Sequence, residues 1–126
     1  MIDRVKKLRV YSDALTLVRE VYALLKMFPK EEQYALCDQL RRAVISIPSN
    51  IAEGMSRSSD KDQGHFLEIA YGSLLECQCQ LEIACELGYI VKEQYEQLDG
   101  EFDKLGVMIA NLRACRCKST IANNRQ

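Results

Sequence analysis

Apolar residues recur at intervals of three and four positions in four successive stretches, and this periodicity constrains the fold more than any other feature. Such spacing places the apolar side chains on one face of an α-helix, which completes a turn every ~3.6 residues. No stretch shows the alternation of a half-buried strand. The sequence therefore predicts an all-α protein, an up-down-up-down four-helix bundle with short links. The predicted stripes are Leu17, Val18, Val21, Leu24, Leu25 and Phe28; Leu36, Leu40, Ala43, Val44, Ile47, Ile51 and Ala52; Phe66, Leu67, Ile69, Ala70, Leu74, Cys77, Leu81 and Ala84; and Tyr95, Leu98, Phe102, Leu105, Met108, Ile109 and Leu112.

Proline, serine and glycine indicate where these helices begin and end. Pro29 ends the first helix, because proline disfavours the helical conformation of the residue before it. Ser12 is predicted to cap the start of the first helix, and Ser59 or Asp60 the start of the third. Gly88 is typical of the residue that follows a helix.

The length of 126 residues fits one domain, spanning 1–126. Residues 1–11 are expected to form a flexible arm or an additional turn, and residues 118–126 a flexible arm. The apolar runs are too short for a membrane span, and the first residues do not resemble a signal peptide. We therefore expect a cytoplasmic protein with no membrane partner.

A proline lies inside the second helical pattern. Pro48 lacks an amide hydrogen and crowds the carbonyl of Val44, so a kink is predicted there. Ser46, Ser49 and Asn50 are candidates to bond the freed carbonyl or a water molecule. On the third helix Gly72 predicts the close approach of another helix.

Six cysteines raise the question of a metal site. The close pairs, Cys77 with Cys79 and Cys115 with Cys117, lie two positions apart in helical patterns and therefore face opposite sides. The zinc signatures are missing, and the only histidine is His65. We predict structural cysteines, no metal, no cofactor and, since no activated nucleophile or phosphate loop occurs, no enzymatic activity.

Basic residues concentrate at the two ends of the chain, although its net charge is −1. Four lie in residues 1–9 against one acidic residue, and four lie in residues 113–126 with none. Basic ends on an acidic body indicate an anionic partner; the alternative is two solvated, frayed termini. A second pair, Arg41 and Arg42, lies on the second helix.

The stretch 46–76 resembles a known family. The matching residues are Ser46-Ile47-Pro48-Ser49-Asn50-Ile51-Ala52-Glu53-Gly54, Arg57, Phe66-Leu67-Glu68-Ile69-Ala70-Tyr71-Gly72-Ser73-Leu74, Glu76, Gln80-Leu81 and Gly88-Tyr89-Ile90, with weaker similarity at Phe28-Pro29 and Gln39-Leu40-Arg41-Arg42. The pattern is similar to the four-helix-bundle proteins encoded within intervening sequences of bacterial 23S ribosomal RNA genes.

This resemblance implies a four-helix bundle that assembles into a homopentameric ring. A related branch, the accessory proteins of diversity-generating retroelements, partners a reverse transcriptase and binds nucleic acid through a basic surface. The net charge of this chain departs from that branch. Phosphate binding is mostly electrostatic, so a net charge of −1 argues against nucleic-acid binding by the body of the protein.

Polar residues of the motif form a candidate site. Spacings of four, three and four place Ser46, Asn50, Glu53 and Arg57 on one helical face. The third helix supplies a candidate facing set, namely Glu68, Ser73 and Glu76. Two interpretations stay open, a binding or catalytic pocket and a hydrogen-bonded network that fixes the kink and the corner between the two helices.

Together these features predict a non-enzymatic, oligomeric helical-bundle protein, an accessory factor associated with RNA or a ribonucleoprotein, with the role taken from the resemblance. The alternative is a protein-interaction scaffold that does not touch nucleic acid. The candidate nucleic-acid contacts are Arg4, Lys6, Lys7, Arg9, Arg41, Arg42, Arg113, Arg116, Lys118 and Arg125.

Overall fold

The chain folds into a series of α-helices, shown by a computed structural model that describes the backbone of residues 1 and 3–125 and the side chains as far as residue 116. A 3₁₀ turn over Lys30–Glu32 connects the second of these helices to the third. The helices are α1 (Asp3–Lys6), α2 (Arg9–Leu25), α3 (Leu36–Met55), α4 (Asp60–Glu86) and α5 (Lys92–Arg125).

The long helices pack in a closed ring. Each of α2, α3 and α4 packs against the next helix along the chain, and α5 returns to pack against α2. No strand occurs among the residues described, so the predicted all-α helical bundle is confirmed. Within the same residues no helix is long and apolar enough to cross a membrane. The kink at Pro48 stays a prediction.

The predicted stripes meet in one core between the helices. Ile69 is an exception, because it leaves the predicted stripe and is 39% exposed. The largest side chains that are fully buried come from all of α1 to α5: Val5, Val21, Leu25, Leu40, Ile47, Ile51, Leu67, Leu74, Leu81, Phe102, Leu105 and Ile109.

The N-terminal residues differ from the sequence prediction. The helix α2 begins at Arg9, its N-cap is Leu8, and the amide of Ser12 already bonds the carbonyl of Leu8. The prediction that Ser12 caps this helix is therefore wrong. Val5 and Val10 are buried in the core, and α1 forms the additional helical turn that the sequence allowed as the alternative to an arm.

At the other end of the chain, the last predicted stripe ends at Leu112. The helix α5 instead continues through Arg125. The side chains of Lys118 and Arg125, both candidate nucleic-acid contacts, lie outside the described residues, and so does Gln126. The flexibility of residues 118–126 stays a prediction.

Both ends of α4 form as predicted. Ser59 is the N-cap, and its hydroxyl oxygen accepts a hydrogen bond from the amide of Asp62 at 3.1 Å. Beyond the other end, Gly88 has a φ of +81°, where a Cβ would be strained. The Tyr89 amide bonds the Ala84 carbonyl, which is the Schellman pattern of helix ends.

We predict that Ser59→Ala lowers the free energy of unfolding by about 1 kcal/mol, because an amide in the first turn of α4 loses its acceptor. Urea unfolding measures the change. Ser58→Ala, at the neighbouring exposed position, is the control and is expected to change stability by less than about 0.5 kcal/mol. Equal losses in the two variants would contradict the assigned cap.

Close packing between α3 and α4 occurs at a glycine that the sequence did not single out for this role. A Cβ on Gly54 would lie 2.9 Å from the Cβ of Phe66 and 3.2 Å from the carbonyl oxygen of Gln63. At Gly72 a Cβ would meet nothing within 4 Å. The close approach predicted at Gly72 is therefore wrong, because that residue faces solvent.

Candidate nucleic-acid interface

Arginines from the two basic segments of the sequence meet at one corner of the bundle, where α3 ends and α4 begins. From α1, the guanidinium of Arg4 donates a hydrogen bond to the carbonyl oxygen of Met55 at 2.8 Å. From α5, Nε of Arg116 donates to Oε1 of Gln63 at 2.9 Å, and its Nη2 lies 3.9 Å from Sδ of Met55. Met55 thus lies between residues from the two termini.

Two further arginines lie at this corner. Arg57 forms an ion pair with Glu53, and its guanidinium carbon lies 4.8 Å from the ring centroid of Phe66. A guanidinium in that position is attracted by the negative face of the ring. Arg113 of α5 forms an ion pair with Glu68 of α4 at 3.2 Å. We call Arg4, Arg57, Arg113 and Arg116 the basic corner.

The basic corner is accessible to a ligand. The side chains of Arg57 and Arg113 are 44% and 41% exposed. Exposed ion pairs such as theirs contribute only about 0–1 kcal/mol, so a phosphate group can compete with the carboxylate partner. Lys6 and Lys7 are exposed beside α1 at the same end. Arg9, also exposed, pairs with Asp13 at 3.6 Å.

Arg41 and Arg42 lie far from the basic corner. Arg41 is 14 residues before Met55 on α3, which corresponds to about 21 Å along the helix. Its guanidinium donates to the carbonyl oxygen of Gln33, to Oε1 of Gln33 and to Oδ1 of Asp38. These bonds hold the link between α2 and α3 in place, so Arg41 has a structural role at the opposite end.

Three residues of the sequence motif form a hydrogen-bonded chain between α3 and α4. The hydroxyl groups of Ser46 and Ser73 are 2.8 Å apart. Nδ2 of Asn50 donates to Oγ of Ser46 at 2.9 Å and to its carbonyl oxygen at 2.8 Å. Asn50 therefore bonds the carbonyl of Ser46, whereas the sequence pointed to the carbonyl of Val44. With Ser73 only 8% exposed, this arrangement fits a packing network.

The other motif residues take no part in this hydrogen-bonded network of Ser46, Asn50 and Ser73. Glu76 accepts a hydrogen bond at 3.3 Å from Nε2 of Gln80, and the same nitrogen lies 3.5 Å from Oε1 of Gln39. Glu53 and Glu68 instead contact arginines of the basic corner. The seven predicted residues are thus divided among separate contacts and do not line one pocket.

Gln80 is a further polar residue between α3 and α4, and helical spacing alone did not identify it as part of the candidate site. It is 6% exposed, and its Oε1 is buried with no hydrogen-bond partner among the described residues. The sequence signal was its place in the family pattern.

The cysteines differ in their surroundings. Cys77 is buried, and desolvation raises the pKa of its thiol to about 12, which keeps it protonated and unreactive. Cys79, two positions along α4, is exposed, as the helical spacing predicted. Cys115 is also exposed, so the description of the cysteines as buried structural residues fits only some of them. No group of three or more metal-ligating side chains occurs within the described part of the chain.

The fold and the surface define the class of protein: a small helical bundle in which the first and last helices bring arginines to one corner. The chain matches the model of the 23S rRNA-intervening sequence proteins over residues 6–111 and belongs to that family, as the sequence motif indicated. It is similar in fold to a crystal structure from Bacteroides thetaiotaomicron, described as a protein with unknown function from the S23 ribosomal protein family. The two share 24% identity and a TM-score of 0.77, over 82% of this chain and 97% of that one. The curated proteins gave no match.

Proposed function

We propose that this chain is a non-enzymatic, cytoplasmic accessory protein that binds RNA or a ribonucleoprotein through the basic corner. The observation that carries the proposal is the meeting of Arg4 from α1 and Arg116 from α5 at Met55, the last residue of α3. Arginine presents several fixed donors and suits phosphate recognition. Membership of the 23S rRNA-intervening sequence family supports RNA as the anionic partner.

A net charge of −1 does not oppose this proposal, because the charges are unevenly placed. Glu82, Glu86, Glu93 and Glu96 lie near the link between α4 and α5, and all are exposed. At ~1.5 Å per residue along α4 and α5, they lie about 20–40 Å from the residues of the basic corner. At physiological salt, interactions between exposed charges are screened beyond about 8 Å. Phosphates at the corner therefore experience mainly the charges of that end, where Arg4, Arg116 and the neighbouring lysines add to two arginines that Glu53 and Glu68 already pair with.

Self-association into a homopentamer is part of the proposal. It is supported by an apolar groove between α2 and α3, lined by Tyr11, Leu15, Val18 and Ile45 among others. Leu15 and Ile45 are 36% and 44% exposed in the isolated chain. A ring would present several copies of the basic corner to one RNA and strengthen binding by avidity. Light scattering that gave the mass of a monomer at all concentrations would contradict this part.

The test compares two sets of charge removals. In the corner variant, Lys6, Lys7 and Arg113 are each replaced by Gln. In the matched control, Lys26, Lys30 and Lys92, which are exposed at the opposite end, receive the same replacement. Fluorescence anisotropy with a labelled single-stranded RNA measures affinity. We expect a loss on the order of tenfold or more in the corner variant and a much smaller loss in the control.

Equal losses in both variants would contradict an interface at the basic corner. No binding of RNA by the unaltered protein at low salt would favour the alternative, a protein-interaction scaffold. In that case the exposed apolar groove between α2 and α3 would bind another protein rather than a second copy of this chain.

A further inference from the structure

Two glutamates face each other across the groove between α2 and α5. Glu20 of α2 and Glu101 of α5 line a cleft of about 200 Å³ on one side and a second cleft of about 480 Å³ on the other. Leu17 and Leu105 contribute to the first cleft, and Leu24 contributes to the second. The groove between these two helices is therefore incompletely filled, with a carboxyl pair as the polar bridge across it.

The two carboxyl groups interact directly. The hydrogen bond with Glu101, the partial burial of the site and the charge of Glu101 together raise the pKa of Glu20 to about 7. The nearby Arg19 lowers it but only partly offsets these effects. One proton between two carboxyl groups allows a hydrogen bond, whereas two carboxylates in the same place repel.

The other charged groups around the pair are few. Asp13 on α2 and Lys104 on α5 line the first cleft, and Arg19 lies beside Glu20 on α2. The second cleft has the neutral side chains of Gln94 and Gln97 near the pair. Among the described residues, no charged group of α3 or α4 lines either cleft.

We propose that Glu20 and Glu101, which line the same clefts between α2 and α5, share one proton and form a pH-dependent clasp, which holds the two helices together while the proton is bound and is released when it is lost. The clasp goes beyond RNA association and does not depend on it. Release leaves two carboxylates in an underfilled groove and loosens α2 from α5, which makes this the helix pair that responds to pH.

The direction of the effect follows from proton linkage. The folded state holds the shared proton up to about pH 7, whereas a glutamate with the ordinary value of 4.5 loses it earlier. Between these values the folded state binds more protons than the unfolded chain, so stability falls as pH rises. The contribution is complete below 4.5 and is lost as the pH passes through about 7.

Melting temperatures of the full chain between about pH 5 and pH 8 test the clasp. We expect Glu20→Gln to flatten the decline of Tm with pH, because the Gln amide donates to Glu101 without titrating. The variant should melt above the unaltered protein at the alkaline end, by an amount on the order of a few degrees. The control Glu82→Gln removes an exposed carboxylate of α4 and should keep the decline of the unaltered protein. The same slope in all three proteins would overturn the proposal.

A direct titration does not depend on how a variant folds. Carboxyl carbon NMR of the unaltered protein, followed against pH, should show a Glu20 signal that titrates near neutrality. The Glu101→Gln variant should shift that transition toward the ordinary value for glutamate. If the Glu20 signal titrates at the ordinary value for glutamate in the unaltered protein, the two carboxyl groups share no proton and the proposal fails.

Discussion

Gly54→Ala is expected to lower the free energy of unfolding by about 1–3 kcal/mol, which is typical of overpacking. The added methyl group would lie 2.9 Å from the Cβ of Phe66 and 3.2 Å from the carbonyl of Gln63. Neither neighbour can yield by rotating a flexible side chain, because one atom is joined directly to the backbone of α4 and the other belongs to it. The two helices must therefore separate slightly at the corner. Urea unfolding monitored by circular dichroism measures the loss.

Gly72→Ala is the matched control, and its effect should have the opposite sign. Gly72 lies inside α4 at an exposed position, and a Cβ there meets nothing within 4 Å. Alanine favours a helix over glycine by roughly 1 kcal/mol, so the variant should be more stable than the unaltered protein. A stabilising Gly54→Ala, or a destabilising Gly72→Ala, would contradict the packing assigned to α3 and α4.

Phe102→Ala should have a larger effect, a loss of about 3–5 kcal/mol. Phe102 lies on α5 and is 0% exposed, so truncation removes buried apolar area and leaves a cavity. A domain is commonly stable by only about 5–15 kcal/mol, so a large share of the native stability would disappear. Denaturant unfolding gives the magnitude.

The control for Phe102 lies on the same helix. Val107 is 60% exposed, and Val107→Ala should change stability by less than about 0.5 kcal/mol. A loss below about 1 kcal/mol for Phe102→Ala would mean that its face of α5 does not pack in the core.

The helices and their inner faces were predictable because an amphipathic period is a local property of the sequence. Phe102 and Leu81 belong to stripes that the spacing alone assigns, and both are fully buried. Ser59 and Gly88 were predictable for a related reason, since each acts on backbone groups within a few residues of itself. Local chemistry determines such features before any helix packs on another.

Features that depend on contact between distant segments were not predictable. Gly54 and Gly72 are both glycines in helical patterns, but only the register of α3 on α4 decides which of them faces Phe66. The burial of Val5 likewise requires α1 to pack on the rest of the bundle, so the sequence around it suggested an arm as readily as a helical turn.

The candidate site shows the same division. The sequence identified basic residues at both ends, but not that Arg4 and Arg116 reach the same residue, Met55. Helical spacing placed Glu53 and Arg57 together correctly, and they form an ion pair. The spacing also suggested that the seven polar residues of the motif form one site. The structure separates them, in part because Arg113 of α5 pairs with Glu68 at the basic corner.

The central claim is that the basic corner binds RNA electrostatically, and the salt dependence of RNA affinity tests it most directly. The measurement is the dissociation constant of the full chain for a single-stranded RNA, between about 50 and 200 mM salt. We predict that the logarithm of affinity falls linearly with the logarithm of salt concentration, with a slope of about −0.7 for each phosphate neutralised. Affinity that does not change with salt, or no binding at the lowest salt, would contradict the account.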